Sequence, residues 1–271
     1  MPELPEVETV RRSLLPVLKG QTINKVDIFS PVVTLPDAAI FQQLIGRTVK
    51  DIQRRGKYLI VLFDAGAPLT VHLRMTGKLL WRQPEEPIAK HTHVIFTYAC
   101  NKQLRFVDVR RFGRLWLGDP NTIPGLATLG KEPIAPDFSP EVLAQALSHH
   151  QKGKIKAVIL DQTVVAGLGN IYADEALFAA AIHPETPAGA LLSQDIQNLA
   201  YSMTLVLEEG IKHRGTSIRD YVDGQGAKGE NQLRLQVFQR EGQPCPCCGT
   251  PIQRIRVAGR SSYFCPACQK K

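Results

Sequence analysis

From residue 23 to residue 118, apolar and polar positions alternate through INKVDIF, KDIQRRGKYLIVLF, PLTVHLRMTGKLLW, THVIFTYA, QLRFVDV and RLWLG. β-Branched and aromatic side chains fill many of the apolar positions, so the pattern predicts strands with one face in a core. DAGAP and ACNKQ break it and read as turns. Ahead of the strands, Val7, Val10, Leu14 and Val17 recur at helical spacing. They predict a helix from about Pro5, whose missing amide costs nothing in a first turn. The early glutamates suit the positive end of its dipole, and Pro16 stops the helix soon after.

The alternation ends near residue 130 in a proline-punctuated stretch, LGKEPIAPDFSP, that reads as a linker. Beyond it the period becomes helical. Ser139 caps one expected helix with Pro140 behind it, and Ser193 caps another whose apolar face is Ile196, Leu199, Met203, Val206 and Leu207. Between them, VVAGLGNIYADEAL sets glycines before a helical run. A helix-turn-helix that offers backbone amides and Asn170 to a phosphate fits this stretch, and a plain packing turn fits it equally well. A nucleotide loop does not, because no Lys-Ser/Thr follows the glycines. RGTSIRDYVDGQGAKGENQ is long, polar and Gly-rich and reads as a mobile loop. The expected fold class is α+β, with a strand-rich domain at 1–130, a linker at 131–139, a helical domain at 140–242 and a small module at 243–271.

Charge narrows the partner. A net charge of +8 favours a polyanion, nucleic acid first. The first residues carry glutamates where a secretory signal needs basic ones, and no run of about 18 apolar residues offers a membrane span. The chain is expected to stay in the cytosol.

Five of the six cysteines fall in CPCCG and CPAC. Cys245-x2-Cys248 and Cys265-x2-Cys268 have the spacing of a four-thiolate Zn²⁺ site, with Cys247 a spectator. Four protein ligands leave no open position for water, so the metal is expected to be structural. Between the pairs, TPIQRIRVAGRSSYF reads as a hairpin with Arg260 near its tip. The module from Gln243 onward has five Lys/Arg and no Asp/Glu, which suits a DNA groove.

Taken in order, PELPEVETV, RRGKYL, HLRMTGKL, KHTHV, DVRRFG, GLGNIYADEAL, VAGR and the two CxxC pairs resemble the formamidopyrimidine-DNA glycosylase family over essentially the whole chain. The sister group, endonuclease VIII, typically begins Pro-Glu-Gly-Pro where this chain has Leu4, and it need not carry Met75, Arg110 and Phe112 together. The resemblance implies an N-terminal β-sandwich, a helical domain with a helix-two-turns-helix element, and a zinc finger, with duplex DNA across the cleft between the domains and the enzyme acting as a monomer. It also implies removal of 8-oxoguanine and ring-opened purines, followed by strand cutting through β,δ-elimination.

It assigns roles as well. Pro2 is the nucleophile, Glu3 the neighbouring acid and base, Lys57 a second proton donor or phosphate contact, and Arg260 the grip on the lesion phosphate. Glu6, Thr216 and Tyr221 belong to the lesion-base pocket. His91, Arg110, Lys152, Lys156 and Asn170 meet the DNA, although HHQKGKIK departs from the family's usual paired lysines around Lys152. Met75 and Phe112 fill the gap left by an extruded nucleotide, with Arg110 on the orphaned base.

The chemistry of the chain end is consistent with this. An α-amine has a pKa near 8 against about 10.4 for lysine, so more of it is available as a nucleophile at neutral pH. An adduct of the Pro2 nitrogen with C1′ of the sugar is an iminium, an electron sink for β-elimination, once Met1 is removed. Two other readings stay open on sequence alone: an endonuclease VIII-like enzyme for oxidised pyrimidines, and a non-catalytic zinc-ribbon DNA-binding protein.

Overall fold

The computed structural model describes residues 1–270 and divides into two compact units. The first comprises residues 1–127 and 213–232, the second residues 128–212 and the described residues from 233 onward.

The first unit opens with α1 (Leu4–Leu18), which buries Val7, Val10, Leu14 and Leu18. Leu18, one full turn after Leu14, continues the stripe, and the expected Val17 packs against the same core partly buried. Strands follow: β1 (Ile23–Ile28), β2 (Thr34–Leu35), β3 (Val49–Arg55), β4 (Tyr58–Phe63), β5 (Leu69–His72), β6 (Lys78–Arg82), β7 (Thr92–Tyr98), β8 (Gln103–Val107) and β9 (Arg114–Leu117). They form a four-stranded sheet in the order β1-β7-β8-β6 and a five-stranded sheet in the order β2-β9-β5-β4-β3. Inward residues of both sheets share one core with the apolar stripe of α1, which makes a β-sandwich. The long alternating stretches prove to be hairpins: β3 and β4 turn at Gly56–Lys57, with Arg55 opposite Tyr58. β2 is missed by the alternation because two residues are too few to display a period. The unit's helical segment α2 (Pro124–Ala127) ends three residues before the predicted boundary near 130.

The second unit contains α3 (Pro140–Ser148), α4 (Ile155–Ile159), α5 (Asn170–Ala179), α6 (Ser193–Lys212) and the hairpin β10 (Gln253–Val257) and β11 (Arg260–Phe264). Ser139 caps α3 as expected, its hydroxyl accepting from Val142 N. At α6 the capping side chain is Asp195, which accepts from Leu192 N at 2.9 Å, and Ser193 is already helical. A turn at 162–164 and a bend at 166–167 join α4 to α5, and α5 packs against both α6 and β11.

The segment 213–232 departs from the sequence reading. Its composition places it in the helical domain as a mobile loop, yet it packs in the first unit. Its polar side chains act inward. Buried Asp223 accepts from Gln225 N and Ala227 N and pairs with Arg214, while Gly224 N donates to Ser13 Oγ and Gly224 O accepts from Trp81 N. Polar composition marks a loop but says nothing of which of its groups find partners.

One further carboxylate braces α1. Glu8 accepts from Arg11 at 2.8 and 2.9 Å, from Arg12 at 2.8 Å and from Arg54 at 3.2 Å, and Arg54 also reaches the carbonyl of Gly56 beside Lys57. Burial alone raises its pKa, but the guanidiniums outweigh burial and bring it from 4.5 to about 2. A depressed folded pKa contributes stability that is present above 4.5 and lost as pH falls through about 2. Thermal melts of the parent and Glu8→Gln should therefore differ at neutral pH and converge in that acid window. Melting curves that stay parallel throughout would show that Glu8 is not coupled to folding.

Candidate active site and nucleic-acid interface

The chain start is buried. Met1 is exposed, whereas Pro2, Glu3 and Glu6 lie inside the first unit. Glu6 Oε2 accepts from Glu3 N at 2.8 Å, closing the first turn of α1, and its Oε1 accepts from Thr216 N at 2.7 Å. Tyr221 OH lies 3.2 Å from the carbonyl of Glu6. Thr216 Oγ1 accepts from Asn231 at 2.8 Å. The expected pocket residues are thus together. The Glu6 carboxylate and the Thr216 amide are bonded to each other, and they clamp the 213–232 segment onto the helix start. The longest exposed run of that segment is 218–220.

Lys57 is buried at the turn between β3 and β4, and α1 packs against both strands. Beneath it lies a residue that the sequence reading did not single out. His72 is buried, accepts from Arg74 N at its Nδ1 and stacks edge-on against Tyr58. Burial, with the Arg74 and Lys57 charges, lowers its pKa to about 3, which keeps the ring neutral. A neutral imidazole adds no repulsion to the ammonium above it.

Two loops carry the expected wedge. Met75 follows β5 and Phe112 precedes β9, and both are about half exposed. Arg110 joins them: its guanidinium lies 4.4 Å from the centre of the Phe112 ring and 3.1 Å from Met75 Sδ. Each loop holds an arginine in the left-handed region, Arg74 at φ 53° and Arg111 at φ 54°, a conformation that persists only where neighbours enforce it. Arg74 N is held by His72 and Arg111 N by the carbonyl of Asp108, whose fully buried carboxylate, absent from the sequence prediction, joins the two loops. Its Oδ1 accepts from Thr76 Oγ1 in one loop and from Arg110 N in the other, and its Oδ2 accepts from Gly113 N at 2.7 Å. Gly113 is obligatory there, since a Cβ would lie 2.7 Å from the Phe106 ring. His91, half-buried at the start of β7, accepts from Asp108 N through its carbonyl.

The second unit holds the remaining candidates. The Sγ atoms of Cys245, Cys248, Cys265 and Cys268 lie within 4.8 Å of one another, with pairs at 3.5 and 3.9 Å. Tetrahedral Zn–S bonds of about 2.3 Å require S···S spacings of about 3.8 Å, so the donors fit one structural Zn²⁺. The amides of Cys247 and Cys268 donate to Cys245 Sγ and Cys265 Sγ, as thiolates demand. Cys247 itself is exposed. Ala258 and Gly259, at φ 46° and 77°, make the tight turn of the hairpin and leave Arg260 exposed beside it. Lys152 is exposed between α3 and α4.

Lys156, an expected DNA contact, is turned inward, and Asn170 lies half-buried beside it. Lys156 is fully buried, pairing with Asp174 at 2.7 Å and donating to the carbonyl of Ser261 at 2.7 Å. Asn170 Nδ2 donates to the same carbonyl at 3.0 Å. A basic residue in sequence reads as a surface charge, and only the fold discloses the acid that neutralises it. Burial raises Asp174 to about 6 even against the pull of Lys156.

The family models that match are the formamidopyrimidine-DNA glycosylase N-terminal domain over residues 1–115, the formamidopyrimidine-DNA glycosylase H2TH domain over 129–222, and the zinc finger found in FPG and IleRS over 242–271. A formamidopyrimidine-DNA glycosylase of Desulforamulus reducens is 52% identical, covering 100% of this chain and 99% of the relative. The complex of a Lactococcus lactis FPG mutant with Fapy-dG-containing DNA superposes with a TM-score of 0.93 at 40% identity, covering both chains completely. MutM in complex with carbocyclic 8-oxo-G-containing DNA gives a TM-score of 0.92 at 40% identity, again over both full chains.

The thiolate cluster generates one prediction. Outside its metal ligands the module buries few apolar side chains, so Cys265→Ser should lose zinc and DNA affinity together while the first unit keeps its melting transition. Metal analysis that finds no zinc in fully DNA-binding parent protein would contradict it.

Proposed function

The chain belongs to the formamidopyrimidine-DNA glycosylase family, and on that premise we propose that it excises oxidised purines from duplex DNA and then cuts the strand. The observation that carries the reading is the joint exposure of Met75, Arg110 and Phe112 on two loops pinned by one buried carboxylate. An exposed sulfur and an exposed ring cost solvation unless they have a partner, and an unstacked base step is such a partner. Arg110, stacked between them, is a fixed fork of donors for the base left unpaired opposite the lesion.

In this reading the lesion nucleotide leaves the stack, and Pro2, freed of Met1, attacks C1′ through its secondary amine. The glycosidic bond breaks, Glu3 delivers a proton to the ring oxygen, and the C1′–O4′ bond opens as the nitrogen lone pair closes a C1′=N⁺ iminium. The resulting iminium withdraws electrons, so a proton is lost from the neighbouring carbon and the 3′ phosphate departs by β-elimination. A second elimination releases the 5′ phosphate. Lys57 serves as a proton donor or phosphate contact, and its charge is undiluted because His72 is neutral. Glu6 holds Pro2 against the 213–232 segment, and that segment covers the extruded base. Arg260 takes the lesion phosphate, and Lys152 and His91 take flanking backbone. Zn²⁺ supplies a rigid base for the hairpin and no chemistry. We place this work in the bacterial cytosol, at the nucleoid, with the protein acting as a monomer. Among the described residues no helix is long and apolar enough to cross a membrane.

Competition between duplexes carrying 8-oxoguanine and thymine glycol tests the assignment, with the 8-oxoguanine strand expected to be cut preferentially. Preference for thymine glycol would move the chain to the pyrimidine branch. In the same assay Met75→Ala should slow release of 8-oxoguanine at least tenfold more than cleavage at a preformed abasic site, because only the former needs unstacking. Equal losses on the two substrates would assign Met75 to packing.

A further inference from the structure

The tip of the zinc-module hairpin is remote from the metal. Arg260 opens β11 five residues before the ligand Cys265, about 16 Å at the rise of a strand. A two-stranded ribbon has little stability of its own in water, so four thiolates at its open end do not fix the far end. The backbone of β11 next to Arg260 is instead held by side chains from α4 and α5 of the same unit. The carbonyl of Ser261 accepts from Lys156 Nζ at 2.7 Å and from Asn170 Nδ2 at 3.0 Å. Asp174 Oδ1 accepts from Ser262 Oγ at 3.0 Å, and its Oδ2 accepts from Tyr263 N at 3.0 Å. All three residues that follow Arg260 are therefore tied to one clasp. The Ser261 carbonyl and the Tyr263 amide alternate along the edge of β11 that faces away from β10, where a ribbon has no ladder partner.

We propose that Lys156 and Asp174 form a positioning pair for Arg260, an inference that rests on the reading of Arg260 as the phosphate grip. The two charges lie 2.7 Å apart with both side chains at 0% exposure, so the pair presents no net charge to DNA. Its effect on DNA passes through the strand it holds. With its backbone immobilised one residue away, the Arg260 guanidinium loses less freedom when it closes on a phosphate, and that saving appears as affinity. Lys156, which by sequence looks like a phosphate contact, acts at one remove. Asp174, which by sequence looks like an ordinary helix acid, determines where the arginine stands.

The test is a mutant cycle in which Lys156→Gln with Asp174→Asn replaces the ion pair by two amides of similar shape and unchanged net charge. Arg260→Ala is the second arm, and the triple variant closes the cycle. Each protein is assayed for zinc content and for affinity to a duplex with a tetrahydrofuran abasic analogue across a salt series. The amide pair should retain one zinc per chain, lose about tenfold in affinity, and show a log-log salt slope reduced by about one. Such a slope means that one phosphate is no longer neutralised, although the variant carries the same net charge as the parent. The triple variant should bind no more weakly than Arg260→Ala alone. Additive losses, or a slope unchanged in the amide pair, overturn the positioning role. If the amide pair loses zinc, the same cycle run with Ser262→Ala, which removes one bond to Asp174, decides by the same two criteria. Parent affinity in Arg260→Ala would remove the phosphate grip and with it the positioning role. It would leave the lesion preference of the parent unaltered, so the failures are distinguishable.

Discussion

Glu6 ties the start of the chain to a segment 210 residues away, and the proposed chemistry depends on that bond. A nucleophile at a chain terminus is intrinsically badly placed, because termini fray unless they are tied down. Here the carboxylate of Glu6 bonds backward to Glu3 N and across to Thr216 N, in the first turn of a helix whose apolar stripe enters the sandwich core. Pro2 therefore inherits the rigidity of α1. The same bond places the 213–232 segment at the nucleophile's side of the first unit, although in sequence it lies beyond the whole helical stretch.

The pattern recurs. Asp108 holds the two wedge loops, Asp174 holds β11, Asp223 shapes the turn at 223–227, and Glu175 accepts from the amides of Gln236, Val237 and Phe238. Each is a buried carboxylate that accepts from at least one backbone amide, and such bonds are directional and strong where one member is ionised. A β-sandwich and a small helical unit provide stable frames, but DNA-facing loops cannot be held by apolar burial, since their outer surfaces must stay wet. Inward-pointing acids solve this on a chain whose overall charge is positive. They fix loops from behind and leave arginine and lysine on the face toward the polyanion.

This division of labour also explains what the sequence disclosed. The strands from 23 to 118, the stripe of α1 and the four thiolates were legible because periodicity and ligand spacing are local signals. Met75, Arg110 and Phe112 came from resemblance, and their contact with one another is a matter of tertiary geometry. Asp108, His72 and Asp174 were not legible, because nothing within a few residues of them shows that they are buried or what they bond. The burial of Lys156 is hidden for the same reason, its partner Asp174 being eighteen positions on and one helix away. The polar composition of 213–232 suggested mobility, while its inward bonds to Glu6, Ser13 and Trp81 lay out of reach of any local rule.

The central claim is that the chemistry starts at the nitrogen of Pro2. Borohydride reduction in the presence of an 8-oxoguanine duplex, followed by peptide mapping of the trapped adduct by mass spectrometry, addresses it directly. The sugar fragment should be found on a peptide that begins with Pro2, and protein that retains Met1 should yield none, because its proline nitrogen is an amide. A full yield of adduct from protein that keeps Met1, mapped to the peptide containing Lys57, would contradict the account.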